Sequence, residues 1–284
     1  MRKGIAIPIG GMIMISISII VLFILTLGSW NETRYVTFRG ESLMSVSHEV
    51  ELTRKMTDQS SYFIAQRAAY EIGLIGGGSQ KWTVSDPTVE TLRDNLISKV
   101  EGMLLEGTYN SSYSGRKITW MDKSLMISGY DASPCGSLSD STCFHLAGTQ
   151  KFKVTDDTIK AEVTSSIPFD QYVDSSYFRL IAAGREILEN TAFNTLFNDP
   201  TTLATNLNSD PRFSGLEFKL TEDGNKLDIE IIDKSCFPPS STGKMYCLAP
   251  VAKGELDLAD QLSDGGVIPF DYLRLKFSVD VISA

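Results

Sequence analysis

GIAIPIGGMIMISISIIVLFILTLGSW, residues 4–30, contains no charged residue and follows directly on Met1-Arg2-Lys3. A helix rises about 1.5 Å per residue, so about 20 apolar residues cross a bilayer core. The run predicts a transmembrane helix, tilted to fit. Arg2 and Lys3 keep the N-terminus cytoplasmic by the positive-inside bias, and Trp30 suits the far interface. The lipid bilayer is then a partner through residues 4–30. Everything after Asn31 is extracytoplasmic, which makes this a single-pass cell-membrane protein. A cleaved secretory signal has a shorter apolar region, of about 7–15 residues, and a small-x-small site. The far end here, Thr26-Leu27-Gly28-Ser29-Trp30, offers only a weak one. A buried core helix is disfavoured by the length of the run and its lack of a polar stripe.

Outside the anchor about 254 of the 284 residues remain, enough for one large domain or two small ones. Setting aside Arg2 and Lys3, the outer part holds 24 of the 26 Lys and Arg against all 35 Asp and Glu, a charge of about −11. That balance argues against nucleic acid and anionic lipid as partners, because both demand basic patches. All four cysteines lie outside, in two local pairs, Cys135/Cys143 and Cys236/Cys247. In an oxidising compartment they read as disulfides. Three connectivities are open and local pairing is the simplest. A metal site using Cys143 and His145 is the rival, but the spacing matches no zinc signature. Asn31-Glu32-Thr33 and Asn110-Ser111-Ser112 are glycosylation sequons at Asn31 and Asn110.

Beyond the anchor, residues 36–75 favour helix. Leu43, Val46, Val50, Met56, Phe63, Ile64, Ala68 and Ile72 recur at three- and four-residue steps, and Gly76-Gly77-Gly78 ends the run. This amphipathic helix either meets copies of itself as a stalk or packs on its own domain. Ser85-Asp86-Pro87 starts a second helix with Leu92, Leu96, Val100, Met103 and Leu104 on one side. Short strands are expected at 117–120 and 124–127, a hairpin around Asp156-Asp157, a helix over 172–196, a second hairpin turning at Gly224, and a strand over 272–281.

Two stretches echo one another. Cys143 precedes Leu146-Ala147 and then Ile167-Pro168-Phe169-Asp170. Cys247 precedes Leu248-Ala249 and then Ile268-Pro269-Phe270-Asp271. From each cysteine to the following isoleucine the interval is 24 and 21 residues. A duplicated helix-plus-sheet unit follows, although a proline ending a strand with a core phenylalanine explains each stretch alone. The expected organisation is an anchor at 1–30, a membrane-proximal amphipathic helix at 31–78, a first helix-plus-sheet unit at 79–170 and a second at 171–284. The fold class is α+β, with mixed helix and antiparallel sheet outside the membrane.

No catalytic motif stands out. His48-Glu49 lacks a second histidine one turn on, no Gly-x-Ser-x-Gly elbow occurs, and Gly243-Lys244 lacks the upstream glycine of a phosphate loop. Asp156-Asp157 reads better as a hairpin tip than as an acid–base pair. Asp223, Asn225, Asp228 and Glu230 do not fit a calcium-loop spacing, and strand alternation puts Asp228 and Glu230 on a solvent face. A serine–lysine dyad has no obligatory local spacing. No catalytic, cofactor or metal residues are therefore assigned, and the chain is read as a non-enzyme.

Arg2-Lys3-Gly4-Ile5-Ala6-Ile7-Pro8-Ile9-Gly10 resembles the N-terminus of archaeal type IV pilin-like precursors: a basic stretch, a small residue, then an apolar helix with an early proline. The resemblance spans about the first 30 residues. It implies cleavage after Gly4, leaving Ile5 first, and an apolar helix that packs in a filament core. The outer part is large for a major subunit, which points to a minor or accessory one. Three functions follow: a structural or interaction subunit that self-associates or joins other surface proteins, a membrane-tethered module binding a ligand or partner, or, less favoured, an anchored hydrolase.

Overall fold

A computed structural model of the chain describes residues 44–107, 116–128, 137–157, 160–236, 246–251 and 270–281. The apolar run 4–30, the processing position at Gly4 and Ile5, the sequons at Asn31 and Asn110, and Cys135 lie outside these residues. No helix among the described residues is long and apolar enough to cross a membrane.

Helix α1 spans 44–73. At about 1.5 Å per residue it is about 45 Å long. Its inward stripe runs through Val46, Val50, Thr53, Thr57, Ser61, Ile64, Ala65, Ala68, Ala69 and Ile72, all buried. The spacing by three and four that predicts the helix is the spacing of this stripe. The chain then turns on Gly76, Gly77 and Gly78, each with φ between 65° and 93°. A Cβ on Gly77 would sit 2.2 Å from Leu92. The turn lets Trp82 fold back, 1% exposed, to stack on Phe277 at 4.3 Å and donate from Nε1 to the Gly76 carbonyl at 2.9 Å.

Helix α2, Val89–Gly107, buries Leu92, Leu96, Val100 and Leu104. Its cap is Thr88, whose Oγ1 accepts from the Thr91 N–H at 3.1 Å, not Ser85 or Asp86. Pro87, preceded by a cis peptide bond, lies ahead of the helix rather than in its first turn.

The first sheet has the order β1 (Arg116–Ser128), β2 (Cys143–Asp156), β3 (Ala161–Asp174), antiparallel throughout. The two short strands expected at 117–120 and 124–127 are one strand with a register shift between Trp120 and Lys123. The hairpin around Asp156-Asp157 has far longer arms than expected. β3 runs straight through Ile167-Pro168-Phe169-Asp170. Proline does not stop this ladder because β3 lies at the sheet edge, where one side of the strand needs no N–H donor.

Ser175 and Ser176 lead into α3 (Tyr177–Glu189), α4 (Thr191–Asn194) and α5 (Pro200–Ser209). The expected helix over 172–196 therefore starts later, after β3 ends, and breaks at Asn190, whose side chain caps α4. Asp199 caps α5, a helix the sequence reading missed. The second sheet has the order β4 (Leu216–Asp223), β5 (Lys226–Asp233), β8 (Arg274–Asp280), with Gly224 at φ 62° in the predicted turn. A small pair, β6 (Leu248–Pro250) and β7 (Phe270–Tyr272), lies between β5 and β8 in the chain. The fold is thus mixed helix and antiparallel sheet. One hydrophobic cluster runs from Val46 in α1 through both sheets to Val279 in β8.

Candidate functional site

Helix α1 is joined to β3 and to β7 by polar clamps. Tyr62 donates its hydroxyl to Asp174 Oδ2 of β3 at 3.0 Å. One turn on, Gln66 donates to the Asp174 carbonyl at 2.8 Å. One turn further, Tyr70 donates to Asp271 Oδ2 of β7 at 2.9 Å. Gln171 of β3 donates to Ser61. Burial first, and then the Asp174 charge, pushes the Tyr62 hydroxyl up to about 12. Burial and Asp271 also raise the Tyr70 hydroxyl. Burial works to raise the Asp271 carboxyl, but Tyr70, the Tyr272 N–H and Arg274 donate to it and together hold it below its ordinary value. Arg274 also reaches Glu230 at 3.2 Å, as does Lys276.

The two echoed stretches have the same strand register. Ala147 pairs with Asp170 and Leu146 with Gln171. Ala249 pairs with Asp271 and Leu248 with Tyr272. Gly148 faces Phe169 and Pro250 faces Phe270. The burial is inverted. Phe169 is 2% exposed and Phe270 40% exposed. In the second stretch the face bearing Ala249 and Asp271 turns inward, where Tyr70 of α1 meets it. In the first, the face bearing Ala147 and Asp170 turns outward. Phenylalanine fills the core in the first stretch only.

That outward face of the first sheet carries Met126, Ala147 and Asp170 in one cross-strand row and His145 and Tyr172 in the next. Met126 is 68% exposed and Tyr172 45%. His145 stacks on Tyr172 at 4.8 Å, and its Nε2 lies 2.8 Å from Asp170 Oδ1. The outer face of the second sheet differs: Lys219, Glu230 and Lys276 form a charged row across its three strands.

A cleft of about 770 Å³ opens beside α3. Val89, Leu138, Ala183, Phe213 and Leu216 are among its apolar lining, and Arg179, Arg185 and Arg212 stand around it. Each guanidinium is engaged. Arg179 holds Asp233 and the Ser214 carbonyl, Arg185 holds Glu189 and the Val84 carbonyl, and Arg212 holds Asp210 and Glu186.

Cys236 and Cys247 form a disulfide with Cα atoms 5.9 Å apart, so this local pairing is as expected. Cys143 is also disulfide-bonded. Of the acidic residues weighed for chemistry, Asp156 ends β2 and is buried, while Asp228 faces solvent and Glu230 is tied up by Arg274 and Lys276. Sequence reasoning missed Tyr62, Gln66 and Tyr70. Their four-residue spacing on α1 was the available signal. No family model, curated protein or solved structure matches this chain.

Proposed function

We propose that the protein is a single-pass, membrane-anchored structural subunit of a cell-surface assembly, with residues 4–30 in the bilayer and the α+β head outside the cytoplasm. The pilin-like N-terminus, Gly4 followed by Ile5, makes an accessory subunit of a pilus-like assembly the favoured version. The observation that carries the reading is the placement of α1. It is already helical at residue 44, the first described residue, and is built into the head by clamps to β3 and β7. In this reading α1 is the element that passes the hold of the anchor to the head. The shared register around Asp170 and Asp271 supports an internal duplication of the strand pair within the head.

The test is the intact mass and N-terminal sequence of protein purified from its native membrane. A start at Ile5 supports the pilin-like version, and a start at Met1 supports a plain signal anchor. Recovery in the soluble fraction without residues 1–30 overturns the proposal. The cleft beside α3 favours a second reading, a tethered binding module, because its size lies within the range of about 300–1,000 Å³ usual for ligand sites.

A further inference from the structure

We propose that the outward face of the first sheet is a docking surface for α1 of a second copy of this chain. The inference rests on the anchored-subunit reading, since two copies must stand side by side in one membrane.

The internal echo supplies the precedent. The same strand-pair register occurs twice, and in the second stretch the alanine–aspartate face is covered. Ala249 is fully buried there, and Asp271 takes a proton donor from α1. In the first stretch the equivalent face is open. The Asp170 side chain is 86% exposed, with His145 as its hydrogen-bond partner, and Met126 and Tyr172 flank it. The chain therefore already contains one example of what covers this face: a helix presenting a donor to the aspartate, with apolar contact beside it.

The free side of α1 has that composition. Met44, His48, Leu52, Lys55 and Gln59 fall within about 80° on a helix of 3.6 residues per turn. They lie opposite the buried stripe. Met44 is 75% exposed and Leu52 41%. Lys55 is exposed and forms no ion pair among the described residues. Lys55 is the donor for Asp170, and Leu52 and Met44 match Tyr172 and Met126.

The pairing also sets a step along the axis. Gln171 touches Ser61 of its own α1, so Asp170 and Tyr172 lie near the level of residue 61. Lys55 is six residues earlier, about 9 Å along the axis. Pairing Lys55 with Asp170 therefore steps each copy about 9 Å along the α1 axis from its neighbour. The contact joins two different faces, so it propagates from copy to copy into a ring or an open filament rather than stopping at a dimer.

The experiment is charge reversal read by zero-length carboxyl–amine cross-linking of the full chain in its native membrane. Wild type is expected to give a ladder of oligomers. Lys55→Glu alone and Asp170→Lys alone should each reduce it about fivefold, the effect of losing about 1 kcal/mol. The double reversal should restore it. An unchanged melting temperature for each variant shows that the head still folds. If the ladder is equally strong in the single variants, or fails to return in the double, the docking inference is wrong while the anchored reading stands. If Asp170 cross-links instead to a different protein, the second-copy occupant is overturned. If the protein is not in the membrane fraction at all, the anchored reading itself has failed.

Discussion

Tyr62 and Tyr70 stand two helical turns apart on α1, and each donates a hydrogen bond from its hydroxyl to a carboxylate of a different strand. Losing the Tyr62 hydroxyl, in Tyr62→Phe, leaves Asp174 without that donor and is expected to cost about 1 kcal/mol in chemical denaturation. The pH dependence follows from the sign of the shift. The Tyr62 hydroxyl rises from 10.0 to about 12 in the folded protein. Below pH 10 both states keep the proton and the contribution is complete. Between pH 10 and 12 the unfolded chain ionises while the folded one does not, so stability falls as pH rises. The alkaline loss of stability should therefore be shallower in Tyr62→Phe. Asp271 acts in the other direction. Its lowered value makes its contribution present at neutral pH and lost as pH falls through the acid range below 3.8. None of these pairings could be read from local sequence. The partners of Tyr62 and Tyr70 lie 112 and 201 residues away.

Strand β2 shows how an element constrains its neighbours. Gly148 sits mid-strand at φ 135°, and a Cβ there would lie 1.8 Å from the Ser124 carbonyl oxygen of β1. Gly148→Ala combines a strained backbone with a backbone clash, so the expected loss exceeds about 3 kcal/mol, seen as a fall in melting temperature or in yield of folded protein. The elements themselves were largely legible. Buried residues at spacing three and four marked α1 and α2, alternation marked β8, and Gly224 marked the turn between β4 and β5. Strand lengths were not. The register shift between Trp120 and Lys123 interrupts the alternation of β1 and made one strand look like two. Pro168 looked like a strand end because edge position is a property of the sheet, invisible along the chain. Asn190 and Asp199, the caps that separate α3, α4 and α5, were ordinary polar residues until the helices around them were known.

At the scale of the molecule, α1 is part of the core rather than an appendage to it. Ile64, Ala65, Ala68, Ala69 and Ile72 pack in the same cluster as both sheets. A chain starting at residue 44 should unfold in one cooperative transition. A chain starting at residue 74 loses these side chains and both tyrosine clamps, more than the typical 5–15 kcal/mol of domain stability tolerates, and should show no cooperative transition by calorimetry. The echo between residues 143–170 and 247–271 was legible as sequence, and its shared register appears in the pairing. The inversion that turns one face inward and the other outward was not, because it depends on where α1 lies. That position has a mechanical consequence. A pull between the N-terminal end of α1 and the rest of the head runs along the axis of α1. It reaches β3 through Tyr62 and Gln66 and β7 through Tyr70, so the load is divided between two sheets and acts in shear across several contacts at once. A head held by one terminal strand would instead unzip bond by bond.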